Sequence, residues 1–413
     1  MARIAIDLSP LRASRELRLL MAGQGVGMIG GMVLYVAIPI QLYAETHSTL
    51  AVGLIGLVEL GPLLVASILG GAIADVVERV RMAVRVELGV AATAALLALN
   101  SVTGPNVAAL YVLAGASTGI SCLGLPASRA LLPNLVPQER LAAANALNGT
   151  VINFGAVAGP GIGGVLVAVL GATGAYLAGG VVVLAGAATL RLLPPVPTKP
   201  GEEQADRVSV RTIIDGFRYV TGTRVVLGVF LADTTAMIFG SPRALFPAFA
   251  DDLGGSATAV GLLYAMPYLG ALIASLASGW TSHVRRQGRW VNGMIVLWGA
   301  SIAAFGLVPN VVLALAFLAL AGAADTLSAI FRSVIVQQET PDAMRGRVGG
   351  IELAQVAATP LVGDFEAGLV ASLTSVRTSI VSGGVMCIVA IVVLTALVPA
   401  LDRYRRPEPA TTT

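Results

Sequence analysis

Twelve apolar stretches, most of about twenty residues or more, follow one another along the chain. They lie at 17–43, 50–75, 81–102, 106–132, 142–169, 171–193, 222–249, 256–282, 289–309, 310–333, 345–372 and 376–401. A helix rising about 1.5 Å per residue needs about 20 such residues to cross the hydrocarbon core of a bilayer. Backbone groups in lipid must bond within their own segment, so each stretch reads as a helix. A water-soluble core cannot absorb this much apolar sequence, because single cores stop growing near roughly 250–300 residues. This chain has 413 residues, 56% hydrophobic and 12% charged. The expected fold is all-α and polytopic, with twelve transmembrane helices. The first stretch follows Arg12, Arg15 and Arg18, like a signal-peptide n-region, but it is too long for an h-region and reads as retained.

Several chemistries are excluded at this stage. Lys199, the one lysine, sits in Pro197-Thr198-Lys199-Pro200, so no phosphate-cradling Gly-Lys-Ser/Thr loop exists and no ATP is expected to bind. Cys122 and Cys387 lie in apolar stretches, and His47 and His283 lie far apart, which argues against a disulfide framework or a metal site. No cofactor is implied.

Orientation follows from charge. With both termini and alternate loops in the cytoplasm, every one of the 26 lysines and arginines except Arg243 and Arg377 falls inside or at an inner helix end. The formal net charge of +3 then reports topology, not nucleic-acid binding. The longest polar stretch, 194–221, divides the chain. We expect a six-helix half over 1–193, a cytoplasmic linker over 194–221, a second six-helix half over 222–401 and a cytoplasmic tail over 402–413.

The halves repeat each other. Pro39 to Arg81 overlays Pro247 to Arg289 without a gap: Ala51-Val52-Gly53-Leu54 falls on Ala259-Val260-Gly261-Leu262, Ala66-Ser67 on Ala274-Ser275, and Gly71 on Gly279. A weaker echo joins Arg129, Pro137 and Arg140 to Arg332, Pro341 and Arg345. Two pseudo-symmetric six-helix bundles suit a transporter that binds a small molecule near the membrane midplane.

Two motifs carry a family resemblance. Gly71-Ala72-Ile73-Ala74-Asp75, followed by Arg79 and Arg81, resembles the loop 2–3 signature of the major facilitator superfamily. The second copy departs from it, with His283 where Asp75 stands. Gly155-Ala156-Val157-Ala158-Gly159-Pro160-Gly161-Ile162-Gly163-Gly164 resembles the helix-5 signature of that superfamily's exporters. Pro126-Ala127-Ser128-Arg129, Gln338-Glu339-Thr340-Pro341 and Arg345-Gly346-Arg347 look like the branch of bacterial enterobactin (siderophore) exporters and macrolide-efflux proteins, and the resemblance covers almost the whole chain. It implies a gate in which Gly71 allows close helix approach and Asp75, Arg79 and Arg81 latch the inner ends of the halves, with Glu352 as a partner for the arginines. It also implies close packing by Gly155, Gly159, Pro160, Gly163 and Gly164. Small residues at Ala274, Ser275, Ser278 and Gly279 suggest that span 8 meets span 5.

Ionisable residues at bilayer depth cost at least about 2.5–3.5 kcal/mol each, so they are candidates for function. Glu59 and Asp233 lie near mid-span. Asp325 stands two helical turns from Arg332, with Ser328 between them on the same face. Span 11 carries Glu352, Gln355, Thr359 and Glu366 on one stripe, with Asp364 beside it. In the fold the resemblance implies, spans 1, 4, 7 and 10 line a cavity, which makes Gln24, Arg129, Asp233 and Asp325 candidates. A carboxylate taken out of water binds its proton more tightly, so Asp233 and Glu59 are the leading proton sites. Arg129 and Arg332 read as anchors at the inner interface, and Asp364 and Glu366 as parts of an outer gate.

The expectation is therefore a non-enzymatic inner-membrane secondary transporter. It would export a small amphipathic molecule, a siderophore-like product or a drug, in exchange for protons. An importer of the same fold, and more remotely a channel or scaffold, are the alternatives.

Overall fold

The computed structural model of the chain describes residues 9–74, 76–196 and 210–406, and among them the regular elements are all helices. The spans are α1 (Arg15–Thr46), α2 (Thr49–Ala74), α3 (Arg79–Val102) and α4 (Val107–Leu135). The helix Leu141–Leu190 contains Gly171 at φ 68° and ψ 178°, a conformation closed to most side chains, and the chain bends there. It supplies two spans, α5 (141–170) and α6 (172–190). The remainder are α7 (Arg224–Phe239), α8 (Ala257–Leu276), α9 (Gln287–Leu307), α10 (Val311–Glu339), α11 (Asp342–Leu373) and α12 (Val376–Leu397). Eleven continuous helices among the described residues are long and apolar enough to cross a membrane, and the bend at Gly171 brings the spans to twelve.

Local chemistry sets the helix ends. Ser14, Asn106, Asn310 and Ser375 accept the first free backbone N–H groups of α1, α4, α10 and α12 at 2.9–3.1 Å. His47 closes α1 in the left-handed conformation, and its N–H reaches Tyr43 O at 2.8 Å. Glu78 caps α3 at Val80 N and Arg81 N, both at 2.8 Å, and also accepts Val196 N at 2.8 Å. That third bond ties the loop between α2 and α3 to the chain just beyond α6.

The helices form two compact units: Met1–Ala205 with Ala250–Ala265, and Asp206–Phe249 with Met266–Thr413. In the first, Val33, Leu34, Ala94, Leu97, Tyr176 and Val183 pack α1, α3 and α6 together. Tyr176 is fully buried and donates to Gln41 at 2.7 Å, and Gln41 donates to Ser101 at 3.2 Å. In the second, Val229, Ile295, Phe331, Ile335 and Ile391 join α7, α9, α10 and α12. Large apolar side chains elsewhere stay exposed, among them Val181, Val392 and Leu397, as lipid-facing positions require.

Within 194–221, the segment Val210–Gly222 is a helix docked on α11. Tyr219 donates to Glu339 O at 2.5 Å, and Asp215 pairs with Arg347 at 3.6 Å. Lys199 lies outside the described residues.

Candidate functional site

The densest polar cluster inside the spans of the second unit centres on Arg332. Its guanidinium forms an ion pair with Asp233 of α7, and its other terminal nitrogen lies 3.4 Å from Asp325 Oδ1. Asp325 and Arg332 are two turns apart on α10, so one helix face presents acid and base together. Gln355 of α11 donates to Phe230 O at 2.8 Å, Thr234 Oγ1 at 2.9 Å and Asp233 Oδ2 at 3.2 Å. Ser328 is fully buried between the charged residues of α10, and its hydroxyl finds no partner among the described residues. Glu352 lies within electrostatic reach of Arg332 and Asp233. Three helices thus meet through one guanidinium, two aspartates and an amide.

The two acids are not equivalent. The side chains of Arg332 and Asp233 are 9% and 8% exposed, whereas that of Asp325 is 35% exposed. Asp233 is therefore the closely held partner and Asp325 the one its neighbours cover less. With both ionised, the trio carries one uncompensated negative charge in a poorly solvated place. Protonating either acid, or bringing a cationic or hydrogen-bond-donating group to Asp325, relieves it.

Arg332 is the residue that sequence reasoning misplaced. With span 10 ending at 333, Arg332 stands at the membrane surface and reads as an anchor. The helix runs on to Glu339, which puts Arg332 seven residues, about 10 Å, inside its end. The apolar Val334-Ile335-Val336 that follows was the available signal. Arg129, by contrast, is exposed.

The first unit holds the other intramembrane candidates. Glu59 is buried in α2, close enough to Cys122 of α4 to act on it electrostatically. Gln24 of α1 has a buried amide oxygen with no partner among the described residues, as does Asn148 of α5, which sequence reasoning missed.

Helix α5 presents its glycines on two sides. A side chain at Gly155 would strike Met28, one at Gly159 would strike Met32, and one at Gly163 would stand 3.1 Å from Val33 Cα, all on α1. Gly164 faces α8, where a Cβ would be 2.6 Å from Ala257 O and 2.7 Å from Gly261 Cα, and one on Gly261 would be 2.5 Å from Pro160 O. Spans 5 and 8 do meet, but at the start of α8 and within the first unit. Gly279, expected at this contact, has open space around it.

Asp75 lies outside the described residues. Arg79 donates to Ala130 O at 3.4 Å, and Arg81, 73% exposed, is 3.9 Å from Glu78. The close approach in the last turns of α2 runs through Gly70, where a Cβ would be 3.1 Å from Leu123 O; around Gly71 the space is open. In the second unit Asp364 accepts Arg243 Nη2 at 2.6 Å and Nε at 3.4 Å, together with Ala244 N at 3.3 Å. Arg377 stacks on Phe249 at 5.5 Å and donates to Gly306 O and Val308 O. Glu366 is half-buried.

Comparison with known proteins agrees with this architecture. Residues 5–409 match the family described as transmembrane secretion effector. The chain is 32% identical over 414 residues to the enterobactin exporter EntS of Shigella boydii serotype 18, covering 98% of this chain and 97% of that protein. The same name, identity and coverage are found in Escherichia fergusonii. Among solved structures, a POT family transporter in complex with 5-aminolevulinic acid aligns with a TM-score of 0.75 at 13% identity, over 94% of this chain and 97% of that one. The nucleoside transporter NupG aligns with a TM-score of 0.71 at 14% identity, over 93% and 99%.

Proposed function

The chain belongs to the transmembrane secretion effector family of the major facilitator superfamily, and on that premise we propose that this membrane transporter exports a small amphipathic molecule of siderophore type in exchange for protons. It works by alternating access, with the halves 1–193 and 222–401 as the moving bodies. It sits in the bacterial inner membrane with both termini in the cytoplasm, as the arginine distribution favours. The enterobactin exporters at 32% identity and the helix-5 glycine signature support the outward direction and the cargo class.

The observation that carries the coupling is the sharing of Arg332 by two aspartates of unequal exposure. In this reading Asp233 holds Arg332 in place. Asp325, the less covered acid, takes a proton when Arg332 turns wholly to Asp233 and loses it when Arg332 returns. Cargo presenting a hydroxyl or cationic donor to ionised Asp325 competes with the proton for that carboxylate, so protonated Asp325 and bound cargo alternate. One elementary charge crossing 100 mV gains about 2.3 kcal/mol, and one pH unit adds about 1.4 kcal/mol per proton. A single proton then supports a gradient on the order of hundreds-fold. Glu59 is the second candidate for the proton path, and Gln24 with Asn148 supplies hydrogen-bond acceptors for cargo donors.

Reconstituted vesicles with an imposed pH gradient test the coupling. Asp325→Asn keeps downhill exchange but loses uphill, pH-driven efflux, whereas Asp233→Asn weakens both. Unchanged pH-driven accumulation by Asp325→Asn would remove the proton role from this cluster. Accumulation of a siderophore-like compound inside cells lacking the protein tests the cargo.

A further inference from the structure

A groove of about 490 Å³ runs between α9 and α12, open beside the exposed Val392, and none of its lining residues belongs to the cluster around Arg332. Its ends differ in chemistry. Arg289 and Asp402, paired at 3.5 Å, stand at one end, with Asn292 donating to Thr395 at 3.2 Å beside them. Val296, Ile391 and Val392 form the wall further along. Val296 is seven residues from Arg289 on the same helix, so the apolar wall begins about 10 Å deeper in the bilayer. Between the two ends lies Gly293, where no atom stands within 4 Å of the place a Cβ would occupy. The groove is polar at the membrane surface, apolar in depth, and widened at its middle by a missing side chain.

The charge around the polar end is one-sided. The chain after α12 runs back beside the segment before α9: Arg406 N donates to Arg285 O at 2.9 Å, and Arg406 Nη1 to Ser282 O at 2.6 Å. This contact gathers Arg285, Arg286, Arg289, Arg403, Arg405 and Arg406 against the single acid Asp402 in those two segments, 282–289 and 402–406. Trp290, the residue after Arg289, packs against Trp280 with ring centroids 4.8 Å apart. Basic pockets between spans at a membrane surface suit anionic headgroups, and guanidinium binds phosphate with charge-assisted hydrogen bonds.

The geometry points to a binding site for an anionic phospholipid of the leaflet facing the C-terminus. Its phosphate sits on Arg289 and Asn292, and one acyl chain lies over Gly293 against Val296, Ile391 and Val392. Asp402 competes with the phosphate for Arg289 and limits the affinity. A free phosphate would use the polar end alone, whereas the lipid uses both ends, which separates the two sources.

Native mass spectrometry of the purified full chain, titrated with phosphatidylglycerol or with phosphatidylcholine of the same acyl chains, reads this directly. The expected result is one retained phosphatidylglycerol, favoured several-fold over phosphatidylcholine and not displaced by millimolar inorganic phosphate. Arg289→Gln removes most of that preference through the headgroup. Gly293→Leu lowers retention by filling the groove while leaving the melting temperature near wild type. Asp402→Asn raises retention. Equal retention of the two lipids, or phosphatidylglycerol retention untouched by both Arg289→Gln and Gly293→Leu, would overturn the site. Displacement by inorganic phosphate would overturn the lipid as its occupant.

Discussion

The contact between α1 and α5 and its repeat counterpart between α7 and α11 join equivalent helices with different chemistry. Along α1, the partners of α5 are glycines: Gly155, Gly159 and Gly163 let Met28, Met32 and the Val33 backbone come close. Along α7, the partner side chains are polar: Gln355 bridges Phe230 O, Thr234 and Asp233, and just beyond the end of α7 Asp364 takes Arg243. Gly363, packed on the carbonyls of Met237 and Ile238, keeps a close glycine approach in the second contact. A dry contact has one arrangement, set by shape, and small residues strengthen it in lipid. A contact through charge has as many arrangements as the charges have partners, and its energy changes when one of them takes a proton. The α1–α5 contact therefore holds by form, and the α7–α11 contact carries titratable groups.

Removing the shared cation breaks this comparison most severely. Arg332→Gln leaves Asp233 buried without its counter-charge, and losing one partner of a buried pair costs about 3–5 kcal/mol. Transport should vanish and the melting temperature of the detergent-solubilised protein should fall by several degrees. Adding Asp233→Asn to that variant removes the orphaned charge. The double variant should recover most of the melting temperature and none of the pH-driven transport. Recovery of both would show that the cluster only holds α7 to α10.

The second effect is steric and belongs to the glycine side. Gly159→Leu puts a branched side chain where Met32 and Ile29 O already stand, and overpacking of this kind costs about 1–3 kcal/mol. Gly161, two residues on, has open space around it, so Gly161→Ala should leave stability and transport near wild type. Thermal unfolding of both variants in the same detergent decides. Equal losses would mean that helix flexibility, not contact with α1, is what Gly159 supplies.

Much of the fold was legible in the sequence, because bilayer thickness acts on composition alone. The spans, the two halves and the pairing of Asp325 with Arg332 along one helix face all follow from local spacing. What spacing could not give was depth. Ending span 10 at 333 rather than Glu339 put Arg332 at the helix end, whereas it lies within the helix, buried and paired with Asp233. Facing was equally hidden: the ten-residue glycine motif announces a close approach, but not that Gly159 meets α1 while Gly164 meets α8. The bond from Val196 to Glu78 spans more than a hundred residues, and no periodicity signals it.

The smallest predicted effect tests whether the end of α2 belongs with the glycine contacts at all. Gly70 and Gly71 are neighbours in sequence but not in environment. A Cβ at Gly70 would stand 3.1 Å from Leu123 O and 3.3 Å from Leu123 Cα, backbone atoms that move only with α4; at Gly71 nothing stands within 4 Å. Alanine also favours a helix over glycine by about 1 kcal/mol. Gly71→Ala should therefore be neutral or slightly stabilising as a matter of packing, while in Gly70→Ala the crowding offsets that gain. The melting temperatures of the two variants should differ by a few degrees, with Gly71→Ala higher. Transport supplies the second reading. If Gly71→Ala is stable yet transports poorly, the open space beside Gly71 is filled at another stage of the cycle, and the signature glycine acts in movement. Wild-type transport with unchanged stability would leave Gly70 as the glycine that matters for packing here.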